Sequence, residues 1–208
     1  MSPKKPRAAQ TQIPTEKQTV QPAGKKKLKL ATTSLAGCFG CHMSLLDIDE
    51  RILELVEVVE FHKSPIDDIK EFDQHLVGEI DVGLIEGGCC NSDNVRVLQE
   101  FRKHCKVLVS IGACAITGGL PAMRNGIPVQ ELLEEAYVKG PTLANHLIPN
   151  DEEIPMILDR VYPCHEVVKI DGFLPGCPPR ADLLWEALNL VIAGKSLDEL
   201  STRNIRYD

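Results

Sequence analysis

Aromatic side chains are scarce in this chain: they make up 4% of its 208 residues, with a single tryptophan. Aliphatic residues must therefore fill any core, and they supply most of the 43% apolar content. No apolar run approaches the ~18 residues that a membrane-spanning helix needs, so no membrane anchor is expected. The opening MSPKKPRAAQ leads into no apolar h-region, and no Arg-Arg pair occurs anywhere in the chain. A standard secretory signal and a twin-arginine signal are both unexpected on that basis. The expected compartment is the cytoplasm, where thiols stay reduced and a structural disulfide set does not persist. There is no G-x-G-x-x-G, no phosphate loop and no Ser–His–Asp arrangement, which argues against an independent nucleotide-binding enzyme or hydrolase. What the chain does have is eight cysteines. In a reducing compartment metal binding is the leading explanation for that number.

Charge divides the chain unevenly. The net charge is −7, yet residues 1–29 hold eight Lys/Arg and one Glu, a net of +7 that leaves −14 on the remainder. The leading segment is rich in Lys, Pro and Gln and has too few apolar residues to form a packed element alone. Residues 1–27 are therefore read as a basic arm, solvated or ordered against a partner subunit, and residues 28–208 as one domain of ordinary size. No aromatics interleave with the basic residues and the body is strongly acidic, so nucleic acid is not an expected partner.

Within the body, short apolar runs alternate with stretches of helical periodicity. Strands are expected at Leu28–Thr33, Ile80–Ile85, Lys106–Ile111 and Val167–Ile170. Helices are expected through DIDERILELVEVVEF, with Asp47 or Asp49 as cap, and through NSDNVRVLQEFRKHC, with Asn91 or Ser92 as cap. Further helices are expected over Val129–Val138 and after Pro175-Gly176-Cys177-Pro178-Pro179, the last one ending at Gly194. Residues 117–165 read as a less regular insertion. Strands alternating with helices imply βαβ units: an α/β fold, with a parallel sheet flanked by helices. Such sheets bind ligands at the carboxyl ends of their strands. The turns carrying Cys38/Cys41, Cys89/Cys90, Cys114 and Cys177 all follow an expected strand.

Cys38-Phe39-Gly40-Cys41 is a C-x-x-C, a spacing shared by redox dithiols, zinc sites and iron–sulfur clusters. A dithiol leaves Cys114 and Cys177 unexplained. Zinc usually takes a second short pair, which the sequence lacks. An iron–sulfur cubane is wider than one ion and accepts thiolates from distant loops, so it suits one C-x-x-C plus Cys114 and Cys177 best, with zinc and dithiol chemistry still open. Gly37, Gly40, Gly112, Ala113 and Gly176 permit close approach and free backbone N–H groups to face sulfur. Cys105 lies on an apolar helix face and reads as core filler, and Cys164 reads as structural. Cys89 and Cys90 are the runner-up ligands, able to join a cluster or to line its pocket. His42 could tune a cluster by hydrogen bonding. Glu86 reads equally as a proton-handling carboxylate or a plain turn residue, and His62, His75 and His104 as ordinary helix or surface histidines.

Four blocks in order carry a resemblance: Gly37-Cys38-Phe39-Gly40-Cys41 with Ser44-Leu45-Leu46, then Glu86-Gly87, then GACAITGG at 112–119, then LPGCPP at 174–179. Together they resemble the small subunit of [NiFe] hydrogenases, and the last two blocks are shared with the cluster-bearing subunit of respiratory complex I. The HMSLLDIDER continuation is similar to the branch of cytoplasmic, NAD-reducing hydrogenases. The resemblance implies a flavodoxin-like fold and one [4Fe-4S] cluster on Cys38, Cys41, Cys114 and Cys177. It implies a separate large subunit holding the Ni–Fe centre, so that this chain would split no hydrogen itself. It also implies diaphorase subunits carrying FMN and further Fe–S clusters, to which this chain would relay electrons. An FMN on this chain is compatible with the fold, but no residue pattern demands one. Complex I relatives place adjacent cysteines in the first slot, whereas here the adjacent pair is Cys89/Cys90, which leaves a ligand exchange open. The alternatives are the equivalent subunit of an F420- or sulfur-reducing hydrogenase or of a complex-I-like assembly, and a zinc-stabilised scaffold. If the basic arm docks on a partner, deleting residues 2–24 is expected to weaken subunit assembly, measured by co-purification, more than it lowers iron content.

Overall fold

The structure is a computed structural model that describes residues 26–73 and 76–200. The expected basic arm therefore lies almost wholly outside the described residues, as does His75. Five parallel strands form the main sheet: β1 (Leu28–Ser34), β2 (Val59–Lys63), β3 (Ile80–Glu86), β5 (Cys105–Ile111) and β7 (Gly172–Leu174), in the order β2-β1-β3-β5-β7. Counting only these strands, the order is 2-1-3-4-5, that of flavodoxin-like doubly wound sheets. Between them run the helices α1 (Gly40–Leu46), α2 (Arg51–Val58), α3 (Ser92–His104), α4 (Gly112–Thr117), α5 (Val129–Tyr137), α6 (Cys164–Val167) and α7 (Ala181–Ile192). Strands β4 (Cys89–Asn91) and β6 (Ile157–Tyr162) pair antiparallel in a separate ribbon. That ribbon, α5 and a 3₁₀ turn at Leu120–Gly126 organise the stretch expected to be less regular.

The strands bury both faces, and their period-2 alternation divides the core in two. Leu30, Val82, Leu84, Val109 and Ile111 point to one side, where they meet Leu45, Ile48, Leu55, Leu183, Leu184 and Leu188. Ala31, Ile85 and Leu108 point to the other, against Leu98, Phe101 and Cys164. Helix α3 begins as expected, with the Asn91 side chain accepting the Asn94 N–H at 2.8 Å. Helix α7 likewise buries its expected face, Leu183, Leu184, Ala187 and Leu188.

Three local expectations need correction. The helix expected to run to Phe61 stops at Val58, because Val59–Lys63 pairs with β1 as the edge strand β2; the β-branched Val58-Val59 pair favours that change. Neither Asp47 nor Asp49 caps it: Asp47 closes α1 and Asp49 adopts a left-handed φ of 62°, leaving Glu50 before α2. The strand expected at Val167–Ile170 is instead the end of α6 and a connecting segment whose Val167, Val168 and Ile170 cover the second core. The ladder begins later because Asp171 clamps the start of β7: its N–H donates to the Leu108 carbonyl at 2.8 Å, and its carboxylate accepts the Leu108 N–H at 2.9 Å.

Cys105 opens β5 rather than lying on a helix face, and at 3% exposed it is core filler all the same. Burial pushes its thiol up from 9.0 to about 12. The unfolded chain releases this proton above about pH 9 while the native state keeps it, so stability is lost as pH rises through that window. Cys105→Ala is expected to flatten the alkaline limb of a urea-stability profile between pH 9 and about 12.

Candidate functional site

Parallel pairing sets the carboxyl ends of four strands in a row. Ser34 pairs with Glu86, Glu86 with Ile111, and Ile111 with Leu174. The chain leaving β1 turns through Phe39, at a left-handed φ of 67°, into α1, which puts Cys38 before the helix and Cys41 in its first turn. Cys114 lies in the short α4 that opens directly from β5, and Cys177 in the turn between β7 and α7. All four expected ligands thus stand on one edge, with Cys38 and Cys177 exposed and Cys41 and Cys114 half-buried.

The loops are tied to one another. Ala113 N–H donates to the Gly176 carbonyl at 2.8 Å, joining the Cys114 and Cys177 loops. The Ser44 hydroxyl donates to the Pro179 carbonyl, joining α1 to the Cys177 loop. Cys41 Sγ donates to the Ile111 carbonyl at 3.7 Å, tying α1 to the end of β5. Close approach requires glycine at two positions. A Cβ on Gly112, whose φ is +81°, would lie 2.3 Å from Cys41 Sγ, and one on Gly119 would lie 2.9 Å from Cys114 Sγ.

Thiolate formation is disfavoured at this edge. Cys41 is held far above its ordinary value, by desolvation first, then by the charge and hydrogen bond of Glu86, then by Cys114 and Cys38. Burial also raises Cys114, with Cys177, Cys38 and Glu86 adding to the effect and the Leu120 N–H opposing it. The thiols are therefore near enough to repel one another as anions, an arrangement that a cationic centre would reverse. Among the described residues no three His, Cys, Asp or Glu side chains converge tightly enough to hold a single metal ion. Thiols that sense one another and a glycine cradle beside sulfur are features that an iron–sulfur core would use.

The remaining cysteines have other surroundings. Cys89 and Cys164 are fully buried, and the interaction between the two thiols lowers Cys89 and raises Cys164. Cys164 Sγ also donates to the Gly87 carbonyl at 3.3 Å, as a structural thiol would. Cys90 Sγ donates to Asn94 Oδ1 at 3.2 Å. His104 is buried rather than a surface residue, stacked on Phe72 with centroids 4.4 Å apart. His62 lies 3.7 Å from Glu60 on the edge strand.

His42 and Glu86 sit together in a buried hydrogen-bonded network. Glu86 is 2% exposed and accepts from the Ser34 hydroxyl at 2.6 Å and the His42 N–H at 3.0 Å. Its burial would raise its carboxyl, but the His42 and Ser34 hydrogen bonds outweigh that and hold it below the ordinary carboxylate value. His42 is fully buried, stacks on Phe39 with ring centroids 4.7 Å apart, and reaches Thr32 Oγ1 at 3.0 Å. Sequence reasoning missed Thr32, Ser34 and Ser64 in this network. The signal for the first two was the polar Thr32-Thr33-Ser34 run closing an otherwise apolar core strand; Ser64 had none.

A doubly wound parallel sheet with thiols on the loops after β1, β5 and β7 defines an α/β protein whose working edge is a four-cysteine one. The chain belongs to the family of the NADH ubiquinone oxidoreductase 20 Kd subunit, which matches it over residues 38–191. It is 44% identical over 185 residues to the NAD-reducing hydrogenase HoxS subunit delta of Cupriavidus necator, covering 88% of this chain and 86% of that one. It is 38% identical to an F420-non-reducing hydrogenase subunit of Methanothermobacter thermautotrophicus over 83% of this chain, and spans 56% of that longer protein. Among solved structures, an NAD⁺-reducing [NiFe]-hydrogenase in the H₂-reduced state superposes with a TM-score of 0.82 at 47% identity, covering 88% of this chain and all of the matched one.

Gly112→Ala is expected to destabilise the chain by about 1–3 kcal/mol, through its positive φ and the clash with Cys41 Sγ. In a urea titration, adding Cys41→Ala should recover the steric part and leave the backbone part.

Proposed function

We propose that this chain is the electron-relay subunit of a hydrogen:NAD⁺ oxidoreductase and binds one [4Fe-4S] cluster through Cys38, Cys41, Cys114 and Cys177. The observation that carries this reading is the four-cysteine edge, in which each thiol comes from a loop held to its neighbour and the glycines leave room beside sulfur. The similarity to NAD-reducing hydrogenase subunits supports the choice of acceptor. Such a cluster, when bound, supplies a site that takes up and releases one electron at a time.

The protein's own residues account for the rest. Cys41 and Cys114 hold the inner side of the site in a half-buried setting, while Cys38 and Cys177 present its outer side. The Leu120 N–H directed at Cys114 stabilises negative charge on that sulfur. Apolar side chains flank the thiol edge, with Met43 44%, Leu120 70% and Met123 75% exposed. A large subunit carrying the Ni–Fe centre would cover them and exclude oxygen and water from the outer thiols. Diaphorase subunits with FMN and further Fe–S clusters complete the proposed assembly, and the cytoplasm is its proposed location. Among the described residues no helix is long and apolar enough to cross a membrane.

The test is anaerobic purification with the co-purifying subunits, followed by iron, sulfide and zinc analysis. About four irons and four sulfides on this chain are expected, with a large subunit and an NAD-binding diaphorase pair alongside. A colourless protein with zinc and no sulfide sinks the cluster reading. An intact cluster beside an F420- or sulfur-reducing partner sinks only the choice of acceptor. Alanine at Cys38, Cys41, Cys114 or Cys177 is each expected to abolish the cluster signal and hydrogen-driven NAD⁺ reduction, and Cys105→Ala to retain both. Loss with Cys89→Ala but not with Cys41→Ala would replace the ligand assignment.

A further inference from the structure

A column of buried polar side chains runs from the thiol edge into the sheet. Glu86, His42, Thr32 and Ser64 are 2%, 0%, 1% and 1% exposed. His42 Nδ1 lies 3.3 Å from Glu86 Oε1 and has no other partner; the contact is off the line of a well-aligned hydrogen bond. On the far side of the ring, Nε2 is 3.0 Å from Thr32 Oγ1, which is 2.7 Å from Ser64 Oγ. The column ends at the Ile66 N–H, which donates to Ser64 Oγ at 3.3 Å.

The chemistry of these groups gives the column a direction. An ionised carboxylate only accepts, and Glu86 already accepts from Ser34 and from the His42 backbone. Nδ1, facing it, must then carry the ring proton. A neutral imidazole protonated at Nδ1 has its lone pair at Nε2, so the Thr32 hydroxyl must donate there. Thr32 then accepts from Ser64, and Ser64 accepts from the Ile66 amide, which can only donate. Every proton has one consistent place. Reversing the Thr32 hydroxyl would put the ring proton on Nε2 and aim the Nδ1 lone pair at the carboxylate.

We propose that Thr32 is a positioning residue for the cluster site: its hydroxyl anchors Nε2 and so holds the His42 ring with its Nδ1–H facing the Glu86 carboxylate beside Cys41, which partly neutralises that carboxylate. This rests on the reading of Cys41 as a cluster ligand. The effect works through the orientation of the ring, and its consequence is electrostatic. With the ring proton aimed at Glu86, less of the carboxylate's negative charge faces the cluster; with it turned away, each added electron meets more repulsion.

The experiment is a potentiometric titration of the cluster, followed by its electron paramagnetic resonance signal, in the assembled complex. It compares wild type, Thr32→Val, which keeps the shape and loses the hydroxyl, and Thr32→Ser, which keeps the hydroxyl. Thr32→Val is expected to retain iron and sulfide while its midpoint potential moves negative, changing the oxidised-to-reduced ratio at fixed potential about threefold or more, ~28 mV at ~59 mV per decade. Thr32→Ser should stay near wild type. Should Thr32→Val fail to assemble, Ser64→Ala, which removes the donor to Thr32, is expected to shift the potential in the same direction by less. A full cluster with an unmoved or more positive potential, or a Thr32→Ser shift equal to that of Thr32→Val, overturns the proposal and leaves the ligand assignment standing. Wild-type protein without iron and sulfide overturns both.

Discussion

Everything at the working edge depends on the register of the parallel strands. Ser34, Glu86, Ile111 and Leu174 lie in one row across β1, β3, β5 and β7, and each is the last residue of its strand. A slip of one residue in any pair would turn that strand's apolar set to the other face. It would also carry a cysteine loop out of line with the rest. The two cores on opposite faces of the sheet therefore specify the site without touching it. Leu30, Val82 and Val109 cannot exchange places with Ala31, Ile85 and Leu108 unless both cores are rebuilt.

The second constraint is charge. The edge gathers four thiols around a carboxylate, yet the groups nearest to it supply little positive charge in return. Glu86 is stabilised by hydroxyl, amide and imidazole donors, while burial and mutual repulsion keep Cys41 and Cys114 protonated. Stable thiolates need a cation there, and the narrow clearance of Gly112 and Gly119 from the sulfurs keeps the space beside them open. Both positions refuse a side chain twice over, through a positive φ and through the sulfur beside them.

Much of this could be read from residue order, and the reasons for the exceptions are physical. The strands at Leu28, Ile80 and Lys106 are continuous apolar runs bounded by charge and glycine, a pattern that buried parallel strands share with few other elements. The cysteine loops were legible because each follows such a run. The edge strand Val59–Lys63 was hidden because its apolar residues also continue the helical spacing of α2, and only pairing with β1 decides between the two. The short β7 was misplaced because Val167, Val168 and Ile170 are apolar for a different reason, covering a sheet face, while the strand itself is anchored by the carboxylate of Asp171. The polar column was legible only at Thr32, in the polar run that closes β1; Ser64 and Glu86 are distant from it in sequence and individually ordinary.

That column also explains why a polar run should close a core strand. Thr32 is 1% exposed, and a valine would fill its place in a parallel sheet without the need for a partner. A buried hydroxyl is tolerated only when it is hydrogen-bonded, and breaking such a chain strands the groups on both sides. The cost of holding Thr32, His42, Ser64 and Glu86 together is balanced only if each donor points the right way. Ile66 at one end and the Glu86 carboxylate at the other leave a single arrangement that satisfies that condition. The sheet interior thus carries a preference about hydrogen-bond direction to within one residue of Cys41, and side chains that never approach sulfur can set the field it experiences.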